Sequence, residues 1–286
     1  MKKRRKITAA VLAVFLMLSV FMMTSCQEAA EKQSLEQIKD AGVLTVYTNA
    51  EFPPFEYMSD NTPVGVDMQI AQAIADEIGV KLEIKNVKFD TILSSVNSGK
   101  GSMGIAGISV TEERAQEVDF SINYATSKQY IILPQDSEVT KIEDLAGMSI
   151  GVQLGTTGDI IVSEEISGTE DEETKEHIQG VLEGTGASVT QYNSAADAAV
   201  AMNSGKVDAV VIDKLPAEIV ASQYENFKAI ELVYADGQNT EESYAVCVAK
   251  GNQELLDVVN QVIERLIDDG TIDEWITDHT MQASES

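Results

Sequence analysis

"ILSSVNSGKGSMGIAG" (residues 92–107) and "AVAMNSGKVDAVVID" (199–213) decide how this chain is organised. Each passes from a helix end through Asn-Ser-Gly-Lys into an apolar strand that leads to a glycine loop or a polar residue. A glycine after a helical stretch supplies the left-handed turn that stops the helix. The same supersecondary unit, used twice, predicts two similar lobes facing one another.

Around these units short apolar strands alternate with helical patterns, which predicts an α/β fold. "VLTVYT" (43–48) and "KLEIK" (81–85) flank "DMQIAQAIADEIG", where Met68, Ile70, Ala71, Ile74 and Ile78 recur at helical spacing before Gly79. Gln253 to Gly270 repeats Leu255, Leu256, Val259, Val262, Ile263, Leu266 and Ile267 on one helix face, and "TIDEWITDH" follows as a terminal helix anchored by Trp275. The acidic run at 163–186 breaks the rhythm and predicts a solvated helix–loop excursion.

The start of the chain stands apart. "MKKRRK" precedes an apolar run that ends at "MTSC", a secretory signal by its layout. A transmembrane anchor is the competing expectation, because the run is about long enough to cross a bilayer. "MTSC" resembles a lipobox, the cleavage site of bacterial lipoproteins, so Cys26 is expected to carry lipid and to tether the protein to the membrane outside the cell. The other cysteine, Cys247, then lacks a disulfide partner and falls in a buried strand as a small apolar filler.

Removing the signal takes five of the 20 basic residues and none of the 47 acidic ones, so the mature charge is 15 − 47 = −32. That excludes nucleic acid as a partner, since phosphate binding needs clustered Lys and Arg. His177 and His279 have no Cys or His at ligand spacing, so neither a transition-metal site nor another cofactor is expected.

Several residues carry chemistry. Arg114 follows Thr111, Glu112 and Glu113 in the first turn of a helix, where the dipole disfavours a cation by roughly 0.3–1 kcal/mol. Two explanations stand. The guanidinium and the free amides together could bind a carboxylate, or Arg114 could pair with Glu113 or Glu117 on the surface. "IGVQLGTTGDII" (150–161) runs a strand into Gly155, Thr156 and Thr157, a turn that aims amides and a hydroxyl at an anion. Asp213 ends the strand "VDAVVID", where ligands gather in open α/β sheets; it could receive an ammonium group or simply cap the next helix. Phe52, beside the stiff Pro53-Pro54, and Phe89 sit on loops that could sandwich a side chain, whereas Phe55 is assigned to the core.

Together these segments resemble the bacterial extracellular solute-binding proteins of the polar amino-acid type, family 3, which serve ABC importers. The motifs carrying the resemblance are "TNAEFPPFEY", "VGVDMQIAQAIADEIGV", "KFDTILSSVNSGK", "AGISVTEERAQEVDFS", "IGVQLGTTGD", "VDAVVID" and the closing helix, in family order from Val43 to His279. The resemblance implies a two-lobed periplasmic-binding-protein type II fold with two hinge crossovers, near Tyr124 to Lys128 and Thr240 to Tyr244, and a ligand cleft between the lobes. The expected division is signal peptide 1–25, lipid-anchored tether 26–40, lobe one 41–127 plus 243–280, and lobe two 128–242. It implies that Arg114 clamps the ligand α-carboxylate with help from Ser109 and Thr157. Asp213 and the Gly107 carbonyl would take the α-ammonium, with Phe52 and Phe89 flanking the side chain. Asn49 stands where relatives that bind basic or amide side chains often have Asp or Glu. With Gln153 and Ile212 at other side-chain positions it argues for a neutral polar L-amino acid, unless Glu51 points inward. The expected partners are a free L-amino acid and an ABC permease, served by a monomeric, extracytoplasmic protein that is not an enzyme. The alternatives are a cyclohexadienyl or prephenate dehydratase-like enzyme of the same fold, or a sensory amino-acid-binding protein.

Overall fold

The computed structural model describes residues 32–171 and 173–285; the expected signal at 1–25 and Cys26 lie outside the described residues. The stretch assigned to the tether ends in helix α1 (Leu35–Ala41), which a reciprocal Ser34–Gln37 capping box starts and left-handed Gly42 stops, with Ile38 buried beneath it. No helix among the described residues is long and apolar enough to cross a membrane.

The chain then builds β1 (Val43–Thr48), a small antiparallel sheet of β2 (Glu51–Phe52), β3 (Glu56–Ser59) and β4 (Thr62–Val64), helix α2 (Val66–Ile78) and β5 (Lys81–Asn86). A 3-10 turn, Phe89–Thr91, leads into α3 (Ile92–Asn97), then β6 (Met103–Gly104), α4 (Glu112–Glu117) and β7 (Val118–Phe120). Next come β8 (Ala125–Pro134), β9 (Ser149–Gln153) and α5 (Thr157–Ser167), followed by a hairpin of β10 (Thr169–Glu170) and β11 (His177–Ile178) within the acidic excursion. β12 (Ser188–Tyr192), α6 (Ala195–Asn203), β13 (Ala209–Asp213), α7 (Lys214–Ser222), β14 (Phe227–Glu231) and β15 (Glu241–Tyr244) complete this part. β16 (Cys247–Ala249), α8 (Gln253–Asp268) and α9 (Thr271–Glu285) close the chain.

Two sheets organise these elements. One runs β5-β1-β6-β16-β7; the other runs β12-β9-β13-β8-β14, with β15 added along β8. The chain enters the second sheet between β7 and β8 and leaves it between β15 and β16. At that passage β8 and β15 lie antiparallel, with Lys128 opposite Glu241 and Ala125 opposite Tyr244.

The Asn-Ser-Gly-Lys echo is realised bond for bond. In the first copy the amides of Ser98, Gly99 and Lys100 donate to the carbonyls of Ser94, Val96 and Ser95; in the second those of Ser204, Gly205 and Lys206 donate to Val200, Met202 and Ala201. Both glycines are left-handed, with φ of 74° and 72°. Each copy sends its strand, β6 or β13, parallel to a central neighbour, β1 or β9.

The continuous apolar run of β13 follows from burial on both faces. Val210 and Ile212 join one core with α6 and α7, while Ala209 and Val211 join another with Ile150, Val152 and Val162. A third core under α3 holds Ile92, Val96, Ile108 and Cys247, whose thiol burial pushes up to about 12. The thiol is therefore inert filler.

Candidate functional site

The carboxyl ends of the parallel strands of both sheets meet. Asn49 follows β1, Gly107 follows β6, Gln153 ends β9 and Asp213 ends β13. Ligands bind in such crevices beyond strand ends. Here a cavity of about 10 Å³ is lined by Asn49, Phe52, Phe89, Ala106, Gly107, Ser109, Gln153, Thr156, Thr157 and Asp213. Nine of the ten residues expected from the sequence therefore line one enclosure; Ala106 was not foreseen. That is room for about one water, so the walls have to part before a ligand of about ten heavy atoms can enter.

Arg114 stands behind this wall rather than in it. The residue is 8 % exposed; its guanidinium lies 5.6 Å from the centre of the Phe89 ring, and donates from Nη1 to the Ser109 carbonyl at 2.8 Å and from Nη2 to the Gly155 carbonyl at 2.9 Å. The surface pairing with Glu113 or Glu117 is absent from the ion pairs among the described residues. Burial lowers its pKa, opposed by the charges of Glu242 and Asp213, and a guanidinium keeps its proton in any case. The two bonds engage two of five donors and join the loop after β6 to the loop after β9.

Other contacts bridge the same gap. Gln153 Nε2 donates to Asn49 Oδ1 at 2.8 Å, and Asn49 Nδ2 in turn donates to the Val87 carbonyl at 2.8 Å. Thr157 Oγ1 donates to Ser109 Oγ at 3.1 Å. Gln153 is 2 % exposed, and its Oε1 has no hydrogen-bond partner. A buried acceptor without a donor costs about 1–3 kcal/mol.

Thr156 caps α5: its hydroxyl donates to the Gln153 carbonyl at 2.8 Å and accepts from the Asp159 amide at 3.3 Å. The Gly155 amide goes to Asp159 Oδ2 at 2.9 Å. The amides of Thr157 and Gly158 stand in the first turn, where helices have no internal acceptor for them.

Asp213 precedes α7 but makes no capping bond. The capping role considered from the sequence is not used; instead Oδ1 accepts the Tyr244 hydroxyl at 2.5 Å. Burial, then the charge and hydrogen-bonding contact of Glu242, hold its carboxyl well above the usual range. Glu242 also accepts from Gln129 Nε2 at 2.6 Å and from the Ser109 hydroxyl. A second buried carboxyl pair lies beneath. Asp67 accepts from the Gly107 amide at 2.8 Å and from the Tyr124 hydroxyl at 3.0 Å, and Glu56 is buried with no donor on either carboxyl oxygen. Burial lifts Asp67 to about 6 and Glu56 well above its ordinary value.

Sequence reasoning missed Glu242, Tyr244 and Gln129. Gln129 and Asp213 are paired residues of β8 and β13, and Glu242 lies on β15 across β8, so only strand register brings them together. Ile212, expected toward the ligand, is fully buried in the core behind β13. Glu51 is exposed and lies outside the cavity, in a depression shared with Asn49, Lys88, Asn193 and Asp197. Among the described residues no group of three or more His, Cys, Asp or Glu could hold a metal ion.

A family model described as bacterial extracellular solute-binding proteins, family 3, matches residues 44–281. The chain belongs to this family. The arginine-binding extracellular protein ArtP of Bacillus subtilis is 26 % identical over 90 % of this chain and 93 % of its own. The L-cystine-binding protein TcyJ of Escherichia coli is 27 % identical over 87 % and 86 %. A substrate-binding protein of an amino-acid ABC transporter from Streptococcus pneumoniae, solved with L-arginine, superposes with a TM-score of 0.74 at 31 % identity, covering 87 % of this chain and 98 % of that one. The family-3 fold is accordingly the two-lobed periplasmic-binding-protein type II fold, and the protein is a solute-binding component of amino-acid ABC transport with an extracytoplasmic place of action.

Proposed function

We propose that the cavity binds a free L-amino acid with a neutral polar side chain, and that closure of the lobes on it is the form offered to an ABC permease. The observation that carries this is the unpaired Gln153 Oε1 beside Asn49, two uncharged amides at the cavity end reached by neither Arg114 nor Asp213 bonds. A side-chain N–H or O–H of the ligand would complete the Gln153 acceptor. At the other end Asp213 takes the α-ammonium with the Gly107 carbonyl. The α-carboxylate goes to the Thr157 turn, Ser109 and the remaining donors of Arg114, with Phe52 and Phe89 flanking the side chain. A ligand of about ten heavy atoms can reach micromolar affinity, about −8 kcal/mol, within the ~1.5 kcal/mol per atom open to small ligands.

The lobes in this reading are 41–127 plus 243–280 and 128–242, hinged at the paired segments of β8 and β15. A monomer held to the membrane by lipid on Cys26 completes it. A thermal-shift screen of the twenty L-amino acids tests the specificity: neutral polar ligands such as glutamine should give the largest shifts. A second reading, an arginine ligand, is favoured by Glu51 and Asp197 in one depression outside Asn49, and by the arginine named for two relatives. A dominant response to arginine would establish it. The dehydratase alternative calls for a positioned acid and more cations than Arg114 supplies; phenylpyruvate formed from prephenate would overturn the binding role.

A further inference from the structure

Ser109 lines the ligand cavity and is gripped from two sides. Its carbonyl accepts from Arg114 Nη1 at 2.8 Å, while its hydroxyl donates to Glu242 Oε2. Thr157 Oγ1 in turn donates to Ser109 Oγ at 3.1 Å. A hydroxyl has one proton to give, so the order Thr157, Ser109, Glu242 spends the side-chain donors of both cavity residues within the protein itself. The chain ends on a carboxylate, and a bond to a charged acceptor is roughly twice as strong as one to a neutral oxygen. Glu242 is half-buried on β15, and its other oxygen accepts from Nε2 of the fully buried Gln129 at 2.6 Å. It makes no ion pair among the described residues. Backbone pairing fixes its place: Glu242 lies opposite Ser127 of β8, and the Val110 amide donates to the Ser243 carbonyl at 3.0 Å, which ties the loop after β6 to β15 beside Ser109.

We propose that Glu242 is a built-in competitor of the ligand's α-carboxylate: it holds the Ser109 hydroxyl that the carboxylate needs, and so sets the affinity below what the donors of the cavity would otherwise give. The inference rests on the amino-acid-binding role with Ser109 and Thr157 at the carboxylate end. The exchange transfers no proton between atoms. The Ser109 hydroxyl turns from Glu242 to the incoming carboxylate, the Thr157 hydroxyl turns from Ser109 to the same group, and Glu242 keeps its bond from Gln129. At Ser109 one charge-assisted bond is given up for another, and the net gain there is close to nothing. Glu242 touches no ligand atom and acts through Ser109 as a positioning residue. A weaker grip on the ligand shows mainly as faster release, which suits a protein that must hand its ligand on.

The test is a double-mutant cycle read by calorimetry, with the tightest binder among L-glutamine, L-cystine, L-histidine and L-arginine. The unmutated protein, Glu242→Gln, Ser109→Ala and the double variant are compared. Glu242→Gln keeps the shape of the side chain and leaves Ser109 a neutral partner. Its effect on affinity should be about five- to tenfold more favourable with Ser109 present than in the Ser109→Ala background, where no hydroxyl is contested. The lost negative charge acts on the ligand's ammonium alike in both backgrounds and cancels in the comparison. Should the glutamine variant not fold, Glu242→Ala in the same cycle gives the same comparison. Equal effects in the two backgrounds, or an effect less favourable with Ser109 present, overturn this inference alone. Failure of all four ligands to bind the unmutated protein overturns the amino-acid reading and the inference with it.

Discussion

Arg114 sits in the first turn of a six-residue helix whose N-cap is Thr111, where the dipole alone would favour an anion. Its position makes sense through its fork, which reaches the carbonyls of Ser109 and Gly155 on opposite walls of the cleft. Charge-assisted bonds of this kind are worth roughly 1.5–3 kcal/mol each. Replacing Arg114 with Ala is therefore expected to weaken amino-acid binding at least ~100-fold by calorimetry while the far-ultraviolet dichroism stays that of the folded protein; unchanged affinity would remove Arg114 from the site. Gly107 is as constrained. Its φ is +52°, and a Cβ there would come within 2.6 Å of the Phe52 ring. Gly107→Ala should cost about 1–2 kcal/mol for the left-handed backbone, seen as a lower Tm, and should weaken binding by displacing Phe52 into the cavity.

At the scale of elements, β3 and α2 bring Glu56 and Asp67 together under the loop after β6. Asp67 titrates near 6 in the folded protein, raised by burial from an ordinary value near 3.8. Between those values the folded state binds a proton that the unfolded state has lost, so this group's contribution to stability declines as pH rises from about 4 to about 6. Asp67→Asn, which keeps an acceptor for the Gly107 amide, should thus gain stability relative to the unmutated protein across that interval; a pH-independent difference in Tm would show that Asp67 is not the titrating group. Elements also mark what the sequence could reveal. The Asn-Ser-Gly-Lys units were legible because helix stop, turn and parallel strand are local, and their residues are consecutive. Thr156, Thr157 and Asp213 were legible because strand ends and helix starts carry their own signals. Glu242 was not. In a chain with 47 acidic residues nothing about "EESY" distinguishes it, and its neighbours are fixed by the pairing of β15 with β8 and β8 with β13.

For the whole molecule, binding and folding share one free energy. A ligand at a hundred times its dissociation constant that binds only the folded chain adds about 2.7 kcal/mol. At roughly 2–4 °C per kcal/mol for a protein of this size, Tm should rise by about 5–10 °C in the screen. Absence of any shift with every amino acid would count against the binding role. The β10–β11 hairpin of the acidic excursion makes none of the cleft bonds, so trimming it should leave affinity unchanged, whereas Leu182 of the same run is buried in the core and has to stay.

The antiparallel ladder joining β8 to β15 bears on how such a molecule can move. Four residue pairs, from Glu241 opposite Lys128 to Tyr244 opposite Ala125, bind the two connecting segments into one ribbon. A ribbon flexes across its thin direction but resists sliding of one edge past the other, since sliding breaks every rung together. If the lobes part at this ribbon as proposed, opening and shutting would be confined to a single swing, and each return would bring Arg114 back to Gly155 and Gln153 back to Asn49 with no search over alternative alignments.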